Sequence, residues 1–379
     1  MDFEPTESMA MLRDCAREFA DKRLRPGAQE WDEKESIPPE IYKEGAELGF
    51  FGLSVPEEFG GLGVDPLAYA AAMEELARGS AAFQVCLSVH NSLVCGAIAK
   101  YGSDEQKKKY LPKLASGEWI GAYSLSEPGA GTDAGSLSTS AVDKGDHFLV
   151  NGTKAWVTNG GFAQVFVVFV STNKEAGSRG IACLIVEKGM TGFSGGKKEK
   201  KMGLRASDTR EMVFQNAKIP KGQLLGQIGG GFKIAMSLLD SGRIGIAAQS
   251  VGIGRAALEE AVSYAKERKQ FGKKLAEFQL TQAKISDMAT NLDAARLLVY
   301  RAAFLLGRGE KCTKEASMAK SFASRAANKA CYDALQIHGG NGYVREFPVE
   351  RYFRDVRVTE IYEGTTEVQS LIVAREVLG

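Results

Sequence analysis

Leu12, Cys15, Ala16, Phe19 and Ala20 recur at three- and four-residue steps, which lays one apolar stripe along a helix near the start of the chain. Pro26 is expected to limit that helix. A Gly-rich connector, Val55 to Asp65, leads into a second helical pattern from Pro66 through Leu76. From about Trp119 to Leu225 the period changes, and short apolar or alternating runs lie between turn residues. "QVFVVFV" and "IACLIVE" read as buried strands. In "HFLVNGTKAWVT" the Asn151-Gly152 pair between two strand-like runs predicts a hairpin. From about Gly230 the helical spacing returns. Ile285, Met288, Leu292, Ala295, Val299, Ala302 and Leu306 form a heptad-like seam. Ala316, Ala319, Ala323, Ala326 and Ala330 form a small-residue face that lets helices approach closely.

These patterns predict an α+β protein in three parts: an N-terminal helical domain (1–118), a middle β domain (119–226) and a C-terminal helical bundle of four-helix type (227–379). A length of 379 residues agrees with two or three domains. With 44% hydrophobic and 25% charged residues the composition is that of a soluble globular chain. A net charge of +1 gives no electrostatic footprint for nucleic acid or an anionic membrane. The one basic cluster, Lys197 to Lys201, is interrupted by Glu199 and reads as a solvated loop.

No apolar run is expected to reach the roughly 20 residues of a membrane span. The start, "MDFEPTESMA", lacks the features of a secretory or transit leader, so a cytoplasmic location is expected, or a mitochondrial matrix one if a leader has been removed. Six scattered cysteines and three distant histidines predict free thiols and no metal site.

Four segments carry candidate chemistry. "GIGRAA", Gly252 to Ala257, fits a dinucleotide fingerprint but lies inside a long helical pattern, so its glycines are read as helix contacts. "YSLSEPGAGTD", Tyr123 to Asp133, ends a strand in a loop whose glycines allow a backbone to approach a flat ligand; a plain strand-ending turn is the alternative. "KAWVTNGG" carries Trp156 on a strand, as core or as a wall for a planar ligand. In "TEIYEGTTEVQSL", Thr366 and Gln369 fit a capping box, which leaves Glu363 just before a helix start, as a plain surface acid or as a base.

Together these segments, with "GFKIAMSLLDSGRIGIAAQ", "ERKQFGKKLAEFQ", "QIHGGNGY", "YFRD" and "IYEGTTEVQ", resemble the acyl-CoA dehydrogenase family in order and over essentially the whole chain, most nearly its short-chain members. The resemblance implies the three-part fold above, noncovalent FAD, a homotetramer, an acyl-CoA substrate and electron-transferring flavoprotein as acceptor. It implies that Glu363 takes the α-proton while the β-hydrogen leaves as hydride to flavin N5, giving the trans-2-enoyl-CoA. The thioester oxygen would meet the backbone N–H of the base.

Residue by residue, Tyr123, Leu125, Ser126, Gly131 and Thr132 match the loop against the flavin ring, Thr132 also facing substrate. Trp156 and Thr158 match the strand beside that ring. Arg268, Gln270, Phe271 and Gln279 match contacts to the FAD phosphates and adenosine. Gln336, Gly339 and Gly340 match a second dinucleotide contact, and Thr365 and Glu367 the contacts after the base. Asp240, Arg243 and Gly364 match substrate contacts.

The isovaleryl- and long-chain types carry their base within the segment matching "LLDSGR", where this chain has the side-chain-free Gly242. Ser126 and Thr132 exchange one hydroxyl residue for another, and Glu367 adds a charge where some relatives have Gln or Asn. Two alternatives stand beside this reading. One is an acyl-CoA oxidase on the same fold. The other is a non-catalytic scaffold, whose mark would be a lost base or a lost flavin loop.

Overall fold

The structure is a computed structural model that describes residues 6–379. The first five residues of the expected N-terminal domain, and of the stretch judged for a leader, lie outside the described part. Helix α1 (Glu7–Phe19) starts at Thr6, whose hydroxyl accepts the Met9 N–H. Pro26 does not stop the helical path. A π-helical turn, Ala20–Leu24, leads directly into α2 (Arg25–Lys34), and Pro26 sits in its first turn, where a missing N–H costs nothing. After α3 (Pro39–Glu47), α4 (Pro66–Gly79) is capped by Asp65, which accepts the Leu67 and Ala68 N–H groups.

Helices α5 (Ala81–Ser88) and α6 (Gly96–Tyr101) flank a π-helical stretch, Val89–Cys95, and α7 (Asp104–Ala115) follows. Contrary to expectation, Ala81–Tyr101 is long and apolar enough to cross a membrane by length and composition. Of that segment's most apolar window, 94% is buried inside the fold, so it is a core helix here.

The middle sheet has eight strands: β1 (Gly121–Ser124), β2 (Ser140–Asp143), β3 (His147–Thr158), β4 (Val165–Ser171), β5 (Ile181–Glu187), β6 (Phe193–Lys198), β7 (Thr209–Pro220) and β8 (Leu224–Leu225). Their order is β6-β7-β3-β2-β4-β5-β8, with β1 parallel to β4. As expected, β4 and β5 are buried along almost their whole length. Alternate residues explain this. Val165, Val167 and Phe169 face a core shared with Leu93, Ile98 and Ile234, while Phe166, Val168 and Val170 face Phe148, Val150 and Phe214.

The Asn151-Gly152 hairpin is not formed. The turn between β2 and β3 lies at Lys144–Asp146, and Asn151-Gly152 makes a bulge within β3 against β7. Gly152 has φ 146°, and a Cβ there would lie 2.6 Å from the Thr139 hydroxyl. The Asn151 amide spans to Asn216 instead of closing a two-residue turn.

The C-terminal part holds α8 (Gly231–Glu267), a short hairpin of β9 (Lys269–Gln270) and β10 (Lys273–Lys274), α9 (Gln279–Gly307), α10 (Thr313–His338), α11 (Val349–Val356) and α12 (Thr366–Leu378). Helix α10 packs along α8, α9 and α12. The α9 seam is buried from Met288 through Ala302, and Ala316, Ala319, Ala323 and Ala330 are buried on α10. The glycines of "GIGRAA" lie on α8. A Cβ on Gly252 would collide with the Glu74 carbonyl, and one on Gly254 with Leu292. They are helix contacts, as expected. The Lys197–Lys201 cluster is not simply solvated, because Lys198 donates to the Glu35 carbonyl at 2.7 Å and Lys201 to the Ser207 carbonyl at 2.6 Å.

Candidate active site

The segment before α12 is tied down by its carbonyls. The cap is Thr365, whose hydroxyl accepts the Val368 N–H; Thr366, the expected cap, is buried one residue inside the helix. Gln369 does not complete a capping box. Its amide turns back and donates to the carbonyls of Glu363 (3.2 Å) and Gly364 (3.0 Å). Lys320, from α10, donates to the same Gly364 carbonyl at 2.6 Å. The Tyr362 hydroxyl donates to Gln249 on α8. Glu363 is left-handed at φ 50° and Gly364 follows at φ 90°. A non-glycine residue holds that conformation only where its surroundings dictate it.

The turn leaves two groups of Glu363 free. Its N–H donates to no protein acceptor among the described residues. Its Oε2 is buried without a partner. That oxygen lies where Gly242 has no side chain, and a Cβ on Gly242 would collide with it. Burial pushes the Glu363 carboxyl up to about 7, against the pull of the Lys320 and Arg243 charges.

Arg243 is buried and donates to Asp240 at 2.9 Å, and Asp240 in turn accepts the Thr313 hydroxyl at 2.7 Å. The Tyr69 and Tyr123 hydroxyls are buried, unpartnered and within electrostatic reach of Glu363. Thus α4, β1, α8, α10 and the pre-α12 segment converge on one carboxyl group.

The neighbouring wall is built from β1 and β3. Lys154 is fully buried and donates to the Leu125 carbonyl (3.0 Å) and to Glu127 (2.7 Å). Glu127 also accepts from the Ser138 N–H and hydroxyl and the Thr139 N–H. The Ala155 N–H donates to the Ser126 carbonyl. This fixes the loop from Leu125 to Glu127 beside a second bulge of β3, between Lys154 and Val157. In that bulge Trp156 takes φ 60° and stands 63% exposed, so it is not a core tryptophan. Thr158 is half-buried opposite Thr209, and Gly131 and Thr132 are exposed in the loop.

The remaining expected residues lie elsewhere. Arg268, Gln270 and Phe271 are exposed on the hairpin after α8, with Gln279 just beyond; Gln336, Gly339 and Gly340 are exposed at the end of α10. These two groups share one place, where Tyr264 stacks on His338 at 4.2 Å and accepts from Asn341. They do not meet Glu363. From Gly242 to Arg268 the chain runs 26 residues along α8, about 39 Å at 1.5 Å per residue. Thr365, Glu367, Gly364, Asp240 and Arg243 stay with Glu363. The expected residues therefore fall into two separated groups.

Lys320, Gln249, Tyr69 and the Lys154–Glu127 pair were not singled out from sequence, and Gln369 was read only as a capping-box partner. Two of them left a signal. Lys320 stands in register with Ala316 and Ala323 on the buried face of α10, and Lys154 continues the inward set of Phe148 and Val150 on β3. A cation at an apolar register position marks a buried charge that needs a reason.

Comparison with known proteins places this geometry. The N-terminal, middle and C-terminal domain models of acyl-CoA dehydrogenase match residues 6–118, 122–217 and 229–378. An acyl-CoA dehydrogenase of Bacillus subtilis (strain 168) is 50% identical over 374 residues, 99% of each chain. The solved butyryl-CoA dehydrogenase of Megasphaera elsdenii superposes with a TM-score of 0.98 at 44% identity, covering 100% of both chains. A chain from a structural study of the electron transferring flavoprotein of Acidaminococcus fermentans gives 0.98 at 46% identity, again over 100% of both.

Proposed function

The chain belongs to the acyl-CoA dehydrogenase family of FAD-dependent oxidoreductases, and from that premise we propose that it removes the α and β hydrogens of a short-chain acyl-CoA. The observation that carries this reading is the buried, unpartnered Oε2 of Glu363, held between two cations and against a residue without a side chain. A thioester α-proton is weakly acidic, so its acceptor must be ionised and yet basic. A carboxyl group near 7 meets both needs at neutral pH. The Glu363 N–H is free to donate to the thioester oxygen as charge develops on it. One such donor is worth about 2.7–4 kcal/mol in a transition state. The α-proton ends on Oε2.

The chain's residues fit the family's cofactor. Trp156 offers an exposed indole face beside a loop whose Gly129 and Gly131 have open space around them, as a flat ring system requires. Leu125, Ser126 and Thr158 border the same wall. Bound there, FAD supplies the two-electron acceptor for the β-hydrogen. The hairpin and α10-end cluster lies about 39 Å along α8 from Gly242, away from Glu363. A second copy, within the expected tetramer, would bring its cluster to the dinucleotide end. The likeness to the Acidaminococcus fermentans chain and to butyryl-CoA dehydrogenase supports electron-transferring flavoprotein as acceptor and a short acyl chain.

The test is anaerobic addition of butyryl-CoA to the flavin-loaded protein. Bleaching of the flavin absorbance is expected in the wild type and near absence of it in Glu363→Gln. A Glu363→Gln protein that bleaches at the wild-type rate refutes the assignment. A parallel panel of straight, branched and dicarboxylic acyl-CoAs sets the chain length, and peroxide formation in air would mark an oxidase.

A further inference from the structure

Lys320 is fully buried, yet it makes no ion pair within 4 Å among the described residues. Its one hydrogen bond is to a neutral carbonyl, that of Gly364. Arg243 differs, since its charge is already matched by Asp240 in direct contact. A buried ammonium without a contacting carboxylate is costly, and an apolar side chain of similar length would stabilise α10 better. What Lys320 faces is the Glu363 carboxylate, beyond salt-bridge distance but within electrostatic reach. Burial pushes the Lys320 ammonium down to about 8, which leaves it mostly protonated at neutral pH.

We propose that Lys320 is a positioning residue with two tasks in one ammonium: it fixes the Gly364 carbonyl, and it holds the Glu363 carboxylate in its charged, proton-accepting form. The first task belongs to geometry. Lys320 and Gln369 grip the two carbonyls of the left-handed turn, so the Glu363 side chain and N–H face away from them. The second belongs to electrostatics. Around Glu363 stand Arg243 with Asp240 on α8, Lys320 on α10, Tyr69 on α4, Tyr123 on β1 and Tyr362 on its own segment. Glu360 and Glu367 act on Lys320 from either side of the turn, and Arg375 acts on Arg243. Of the cations, Lys320 alone has no carboxylate in contact, so its charge remains for the base. It keeps its proton throughout; only the substrate proton moves, to Glu363.

This inference rests on Glu363 as the base, and the experiment separates the two. Flavin bleaching by butyryl-CoA is measured against pH in flavin-loaded wild type, Lys320→Met, Lys320→Gln, Lys320→Arg and Gln369→Leu. In Lys320→Met and Lys320→Gln the acid limb of the rate should move up by about one pH unit or more, as expected when an opposite charge near a carboxylate is lost. Lys320→Arg should return the limb to near its wild-type place. Gln369→Leu, which loosens the turn and keeps the charge, should lower the plateau without moving the limb.

Lys320→Gln retains a donor for Gly364 and is read alone if the Met variant does not fold. An unmoved acid limb in Lys320→Gln, or an Arg variant shifted like it, overturns the proposal while leaving Glu363 as base. A Glu363→Gln protein with wild-type bleaching overturns the base assignment instead.

Discussion

Two buried lysine–glutamate neighbourhoods in this molecule end in opposite states. At Lys154–Glu127 the charges touch at 2.7 Å, and three further donors complete the carboxylate. Burial alone would raise Glu127, but the Lys154 charge and these hydrogen bonds hold it at about 2. At Lys320–Glu363 the ammonium bonds a carbonyl instead, one carboxylate oxygen has no partner, and burial prevails to about 7. Both lysines are pushed down to about 8 by burial. What differs is contact: Lys154 touches its carboxylate and further donors fill the remaining sites, whereas Lys320 stays beyond salt-bridge distance and one Glu363 oxygen is left unfilled. The filled pair fixes a loop, and the unfilled one leaves a buried carboxylate oxygen without a protein partner.

Substitution can break the contrast at either end. The largest effect is expected from Glu363→Gln, which should slow substrate bleaching of the flavin by about a hundred- to ten-thousand-fold in stopped-flow measurements. Lys154→Met comes next. It strands a buried Glu127 and should cost about 3–5 kcal/mol in denaturant unfolding. Lys320→Met should cost little in the same measurement, because it removes a buried ammonium that has no contacting carboxylate.

The two glutamates should also differ in sign. Glu363 has a folded value raised from 4.5 to about 7, so its contribution is present below 4.5 and lost as pH rises through 7. Glu127 is depressed from 4.5 to about 2, so its contribution is present above 4.5 and lost as pH falls through 2. Above pH 7, Glu363→Gln should therefore stabilise the flavin-free protein by up to about 3 kcal/mol. Glu127→Gln should destabilise it. Melting temperatures of both variants above and below this window check the pair of signs. The smallest effect sharpens rather than breaks the contrast. Gly242→Ala should displace the Glu363 carboxyl and slow bleaching about tenfold while leaving unfolding nearly unchanged.

Sequence revealed the periodic parts of this protein well. The α9 seam, the small-residue face of α10 and the all-apolar β4 and β5 follow from side-chain spacing, and the motif around Glu363 points to that residue. What spacing misjudged depends on backbone conformation. Thr365 and Thr366 match a cap equally well until the left-handed Glu363 and Gly364 fix where α12 begins. Asn151-Gly152 supplies the same conformational freedom to a bulge as to a hairpin turn. Pro26 is tolerated because a π-helical turn precedes it. Partners distant in sequence were beyond reach for another reason. Lys320 lies 44 residues from Gly364, and only the packing of α10 against α12 brings them together.

The bulge that turns Trp156 outward has a practical result. Of the chain's three tryptophans, Trp31 is buried at 5% exposure, Trp119 is half-buried beneath the Lys113 ammonium, and Trp156 alone is open to water. The longest-wavelength part of the intrinsic fluorescence of the flavin-free protein therefore comes from a single indole on the proposed cofactor wall. Occupation of that wall can be followed by quenching of this emission, without a label and without turnover.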